Sequence, residues 1–453
     1  MILVSAAQVL FAITAIMLAG FFVLRLIAAG AETGPLTERI GLWWLLGGGW
    51  ISVMIAVLGT LLKGSTLIIG VLASVGVLAF AGRRRLENSS AGAERITKAE
   101  LLLLAILTAE ALVIGFFASR LALGWDALMT WEWKARLAFL NGGSLPAAYF
   151  SDTTYDWSLP RYPLQLSYIN AWLYLCLGRV DQAWVRVIGP LHYLAAACIV
   201  AGACQRLGGS RLTGLCAAAA LFFVPYIFSG TWGMFAGYAD LPLGVLFLAA
   251  ISRIPSLTTE SGMAHARLLG ILAALLPWMK REGQHFWLIV VLLALVQMWR
   301  AKVWRPLPWV AIPGIAMIAA FEGSMAALHA LPYRNAVAVS ISGLDEKVGR
   351  MGFVANRLLV ELVDFDAWSL LWPGAIIAII ALLIRCRFAI ATTFGGALFL
   401  AWTLLAAGYI FGFPSDLEAM ISVTIDRIAL QFVPLAVLTI ALAVPATLSK
   451  NEN

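Results

Sequence analysis

Runs of about twenty apolar residues recur along this chain from Val4 to Val444, and about twenty is what a helix needs to cross the hydrocarbon of a bilayer. Nothing else in the sequence restricts the fold so strongly. Inside hydrocarbon every backbone polar group needs an internal partner, so runs of this length have to be spanning helices. Composition agrees, since 62% of the 453 residues are apolar and 12% are charged, with a mean hydropathy of +0.91. No soluble domain of this length needs so much apolar surface. The expected fold is an all-α polytopic membrane protein with about thirteen transmembrane helices. They are read over 4–29, 41–62, 65–82, 100–123, 185–206, 212–230, 240–254, 267–279, 284–299, 308–330, 367–384, 391–411 and 427–446. The first run is too long for a signal-peptide core and follows no basic segment, so it counts as a helix.

Charge sets the sidedness. The net charge of +7 is not a sign of nucleic acid here, because basic residues of membrane proteins collect in cytoplasmic loops. One alternation of sides makes the clusters Arg83–Arg85 with Arg95 and Lys98, Arg206/Arg211, Arg253/Arg267, Arg300/Lys302/Arg305 and Arg385/Arg387 all cytoplasmic. A single missed or invented helix would put the later clusters on the wrong side. The segments 124–184, 331–366 and 412–426 are then the long external loops, with short external turns at 231–239 and 280–283. Some basic residues stay outside, which points to an anionic ligand or to plain solubility, since long loops translocate regardless of charge.

The organisation read from this pattern is three N-terminal helices (1–86), a cytoplasmic linker (87–99), a transmembrane module (100–446) and a cytoplasmic tail (447–453). Within the first external loop, Pro163 to Leu177 is apolar but short, and it carries Gln165, Ser167 and Asn170. It is expected as an interfacial or re-entrant helix at the external surface. The five cysteines and four scattered histidines give neither a disulfide framework nor metal-ligand spacing. No phosphate-binding loop, dinucleotide fingerprint or hydrolase elbow is present.

Candidate chemistry gathers at the external ends of the runs. Asp126 follows the fourth run in Gly124-Trp125-Asp126, ahead of Trp131-Glu132-Trp133-Lys134. A carboxylate at the boundary of apolar wall and water can be partly desolvated and act as a general base. The plain alternative is an N-cap for a helix over 127–140. Asp152, Asp156 and Arg161-Tyr162-Pro163 come next, then Tyr238-Ala239-Asp240-Leu241-Pro242, where an N-cap is again the alternative. Lys280-Arg281-Glu282 gives two cations in a very short turn at headgroup level, suited to a lipid-linked phosphate or to ordinary headgroups. Arg427 is expected to open the last helix, where snorkelling would also explain it.

In order and sidedness these residues resemble the GT-C superfamily of membrane glycosyltransferases, which use polyprenyl-phosphate-linked sugars outside the cytoplasm. The resemblance covers about 100–446. It rests on Asp126 after a helix, the Trp131–Ala135 run, the Arg161-Tyr162-Pro163 step, the turns around Tyr238/Asp240 and Lys280/Glu282, and Arg427. It implies catalysis by Asp126, donor-phosphate binding by Lys280, Arg281 and Arg427, and substrate binding by Trp125, Glu132, Lys134, Asp152, Asp156, Arg161, Tyr162, Tyr238, Asp240 and Glu282. The implied reaction is inverting transfer of a sugar from a polyprenyl phosphate to a hydroxyl of a glycolipid, polysaccharide or protein. The implied setting is a bacterial cytoplasmic membrane with the active site outside, and membrane lipids rather than nucleic acid as surroundings. The three leading helices look like an addition to that family's pattern. Where many relatives carry a second acid after the first, this chain has Ala127, so a divalent cation stays open. A secondary transporter or lipid-carrier flippase is the rival class, although such proteins place their polar groups near the midplane on broken helices. A scaffold without a convergent pocket is the third.

Overall fold

The computed structural model describes residues 2–28, 33–83, 96–229, 231–332, 344–412 and 417–445. Most of the 87–99 linker, the middle of the 331–366 loop, the start of the 412–426 loop and the 447–453 tail lie outside the described residues. Every regular element described is helical. In chain order these are α1 (Ile2–Ala28), α2 (Leu36–Leu58), α3 (Ser65–Gly82), α4 (Lys98–Arg120), α5 (Trp133–Leu140), α6 (Ala147–Ser151) and α7 (Gln165–Leu177). Then follow α8 (Gln182–Val185), α9 (Ile188–Arg206), α10 (Arg211–Ala220), α11 (Asp240–Ile251), α12 (Gly262–Met279), α13 (Gly283–Ala301) and α14 (Leu307–Ala327). The chain ends with α15 (Leu344–Leu362), α16 (Phe365–Trp368), α17 (Leu371–Ile384), α18 (Phe388–Gly412), α19 (Leu417–Leu430) and α20 (Val433–Ala443).

Among the described residues, ten helical stretches are long and apolar enough to cross a membrane, and the bent pair α19–α20 makes an eleventh. This is a polytopic helical membrane protein. The two other expected spans appear as shorter apolar helices, 211–223 and 371–384. The first of these loses its α-helical form after Ala220 and continues as 3-10 turns, with Pro225 opening the second of them.

The contacts sort the connections into two ends. At one end Glu38 lies 2.9 Å from Arg206 and 2.6 Å from Arg253, and Arg211 meets Glu100 at 2.6 Å. At the same end Arg267 donates to the Ile27 carbonyl, Arg300 to Thr392 and Arg387 to the Leu442 carbonyl. At the other end Gly64 N donates to the Gly142 carbonyl and Leu331 N to the Phe150 carbonyl, while Lys63 reaches Ser144 at 2.8 Å.

Two expectations are corrected. The helix over 163–177 is not at a surface, because twelve of the thirteen residues of α7 are buried. It packs on α1, α2, α5 and α12, and Trp172 Nε1 donates to the Ala12 carbonyl at 3.1 Å. Its polar residues are covered by protein, an arrangement local sequence cannot reveal. Second, Arg427 does not open the last helix but sits in the last turn of α19. The chain breaks at Gln431–Phe432 and bends by 47°, since Pro434, near the start of α20, has no N–H to continue the ladder. The leading helices pack closely on the rest of the chain. A Cβ at Gly47 would stand 1.8 Å from the Ile16 carbonyl oxygen, so α1 and α2 touch backbone to backbone, as small residues allow in membranes. On its other side α2 packs against α7 and α9.

Candidate active site

Asp126 stands just before a single π-helical stretch, Ala127–Glu132, and its side chain makes no capping bond. The uniform helix expected over 127–140 is therefore two pieces, π then α, a widening often found at functional sites. The Asp126 carboxylate instead lies 2.6 Å from Arg427 Nη1. Two main-chain bonds hold it there: Gly124 N donates to the Ala236 carbonyl, and Asp126 N donates to the Tyr238 hydroxyl at 3.3 Å. The strap passes so close that a Cβ at Gly124 would lie 2.6 Å from that hydroxyl.

Arg427 links Asp126 to a second, internal carboxylate. Its Nη2 is 3.4 Å from Asp240 Oδ2, and its guanidinium lies over the rings of Tyr238 at 4.5 Å and Trp232 at 5.3 Å. Asp240 occupies the first turn of α11 without capping it. Its Oδ1 accepts from Lys280 Nζ at 2.7 Å and from Gln431 Nε2 at 2.6 Å. Lys280 also reaches Glu282 at 2.8 Å, and the Tyr162 hydroxyl donates to Glu282 at 3.3 Å. Burial pulls the Lys280 ammonium down, but the carboxylates of Asp240 and Glu282 outweigh it and hold the amine charged above the ordinary lysine range.

Exposure separates the two aspartates. The side chain of Asp126 is 40% exposed and that of Asp240 1%. Asp126 can meet a substrate, whereas Asp240 orders the cations from within. The short turn between α12 and α13, the start of α11 and the end of α19 thus bring Asp126, Tyr162, Tyr238, Asp240, Lys280, Glu282 and Arg427 into one connected network.

The other expected residues lie differently. Trp125 is 70% exposed. Asp152 is exposed and caps its own 3-10 turn by accepting from Thr154 N, which lowers its carboxyl below the usual range, and Asp156 lies in the same turn. Arg161 pairs with Glu322 of α14. Glu132 is buried, accepts from the Tyr174 hydroxyl at 2.8 Å and pairs with Arg136, so it fastens the π-helical stretch to α7, and it lines a small pocket together with Tyr238. Arg281 is half-buried in the 280–282 turn. Lys134 is fully buried, with its Nζ over the rings of Trp131 and Tyr162.

Two members of the network went unread in the sequence. Gln431 is one helical turn beyond Arg427 and the polar residue of an apolar stretch, a usable signal. Trp232 had none beyond its place in the 231–239 turn. Among the described residues no group of three or more His, Cys, Asp or Glu side chains gathers as a metal-ligand set.

Comparison with family models, with curated proteins and with solved structures returns no match to this chain.

Proposed function

We propose that this protein is an inverting glycosyltransferase that moves a sugar from a polyprenyl-phosphate donor to an acceptor hydroxyl at the extracytoplasmic membrane face. The observation that carries this reading is the position of Arg427, between the open carboxylate of Asp126 and the buried pair Asp240–Lys280. An inverting displacement needs the base and the phosphate-binding cation on opposite faces of the reacting carbon, so the donor has to enter between Asp126 and Arg427, which touch in the free protein. The acceptor oxygen attacks the anomeric carbon, and its proton goes to Asp126. The bond from that carbon to the donor phosphate breaks, and the phosphate leaves with the electron pair, held by Arg427 and Lys280. Both cations have carboxylate partners in the free protein. The entering phosphate takes Arg427 from Asp126, which frees the base only when donor is bound.

Thirteen crossings with the network outside is the topology that accompanies this reading. It is supported by the two-ended sorting of contacts, which gathers Arg206, Arg211, Arg253, Arg267, Arg300 and Arg387 at the end opposite Asp126. A GT-C-like arrangement is supported by the same set of residues meeting across α11, α12, α19 and the loop after α4.

A lipid-carrier flippase or secondary transporter is the second reading, favoured by Glu110 of α4. Both its carboxylate oxygens are buried without a hydrogen-bond partner, and ionisable groups at such depth serve transport pathways. Reconstitution in nanodiscs with polyprenyl-phosphate sugars and glycolipid acceptors separates the two. The transferase reading expects free polyprenyl phosphate and a glycosylated acceptor by mass spectrometry. Translocation of intact donor in liposomes without either product would replace it with the transport reading.

A further inference from the structure

A large opening lies apart from the Arg427 network. It is a cleft of about 450 Å³ between α2 and α14, within the range of small-molecule sites. Its cause is a packing gap. Both helices lean on α12 while barely touching one another, and Trp278 of α12 forms the floor, donating from Nε1 to Ser52 of α2 at 2.9 Å. Val53, Val57, Met317, Phe321 and Met325 line the walls. Val57 and Ala320 at its edges are exposed on helices long and apolar enough to cross a membrane, so the cleft opens sideways at the depth of lipid chains.

The rim at the aqueous end has a different chemistry. Lys63, Thr60, Asn141 and Ser144 line it, and the turn is shaped around the lysine. Gly64 N donates to the Gly142 carbonyl, and a Cβ on Gly142 would lie 2.9 Å from Lys63 Cβ. Ser144 donates to the Gly59 carbonyl and so presents its lone pair to Lys63 Nζ at 2.8 Å. A cation is thereby held above an apolar slot open to the bilayer.

We propose that this cleft binds an anionic membrane lipid, with one chain between α2 and α14 and its phosphate headgroup at Lys63. The sideways opening selects a lipid, and the charge at the rim selects an anionic one. Val53, Ala56, Val57, Thr60 and Lys63 of the site come from the leading helices, and none of its lining residues belongs to the Arg427 network, so the proposal stands without the transferase reading.

The test is photocrosslinking in nanodiscs with two diazirine lipids of equal chain length, phosphatidylglycerol and phosphatidylcholine, mapped by peptide mass spectrometry. Crosslinks concentrated on 53–60 and 317–328 are expected, with phosphatidylglycerol favoured about fivefold, the worth of one lysine at an anionic surface. Lys63→Gln removes the preference, while Ala320→Trp or, from the opposite wall, Val57→Trp removes the crosslinks. Monodisperse elution checks that each variant is folded. Equal labelling of all lipid-facing helices, unchanged by both tryptophan variants, overturns the site. Cleft labelling with no headgroup preference in the wild type overturns the anionic assignment.

Discussion

Lys134 lies inside the protein with its ammonium between the rings of Trp131 and Tyr162 and no hydrogen-bond partner. Burial pulls it well below the ordinary lysine range, and an unpaired buried cation is costly. A near-isosteric apolar residue removes that cost. Lys134→Met is expected to stabilise the fold by about 1 kcal/mol or more, read as a raised Tm in detergent; a lowered Tm would mean that the amine contributes to packing. Asp240 is the opposite case, since Lys280, Arg427 and Gln431 all turn to it. Asp240→Ala leaves buried cations uncompensated and is expected to destabilise by about 3–5 kcal/mol, seen as loss of monodisperse protein. Full stability would show that Glu282 alone neutralises the site. Much of this network was legible because a charge at the end of an apolar run stands out. Asp126, Asp240, Lys280 and Arg427 each do so. Glu132, Asp152 and Arg161 stood out equally and turned out to be occupied by neighbours, because sequence shows a charge but not its partner.

Among the elements, the bend between α19 and α20 leaves Arg427 in the last turn of α19 and Gln431 at the break, where both reach Asp240. The amphipathic α15 leaves Val348, Met351 and Leu359 exposed and ends at Glu361, which accepts from Trp368 Nε1 at 2.6 Å. Burial first, and the nearby charge of Asp426 second, push the Glu361 carboxyl up to about 8. An acid raised in the folded state holds its proton more tightly there than when unfolded, so stability falls as pH climbs from about 4.3 towards that raised value. Wild-type Tm is expected to drop between pH 5 and 8, and Glu361→Gln to flatten the profile; parallel profiles would remove Glu361 as the titrating group. Periodicity could not foresee this joint. Pro434 reads equally well inside a continuous span or at a restart, and α7 reads as a surface helix although its Gln165, Ser167 and Asn170 are buried in the bundle.

For the whole molecule, Glu38 ties the start of α2 to Arg206 of α9 and to Arg253 beyond α11. Glu38→Ala is expected to destabilise by about 3–5 kcal/mol, whereas a domain merely appended before the linker would lose little. The proposed sidedness puts Thr154 outside and Lys302 inside. In a background free of the native cysteines, an impermeant thiol reagent on intact cells should label Thr154→Cys and spare Lys302→Cys. The reverse pattern would invert the topology and place the Arg427 network in the cytoplasm.

In the proposed reaction Asp126 takes a proton from an acceptor once phosphate has drawn Arg427 away. Asp126→Asn keeps the shape of the side chain and much of its hydrogen bonding but cannot take that proton. Purified Asp126→Asn assayed with polyprenyl-phosphate sugar is expected to bind donor at least as well as wild type, because no carboxylate competes for Arg427. Its turnover is expected to fall about 10²- to 10⁴-fold, the usual contribution of a general base. Turnover above about a third of the wild-type rate, with donor binding unchanged, would contradict the assignment of Asp126 as the base.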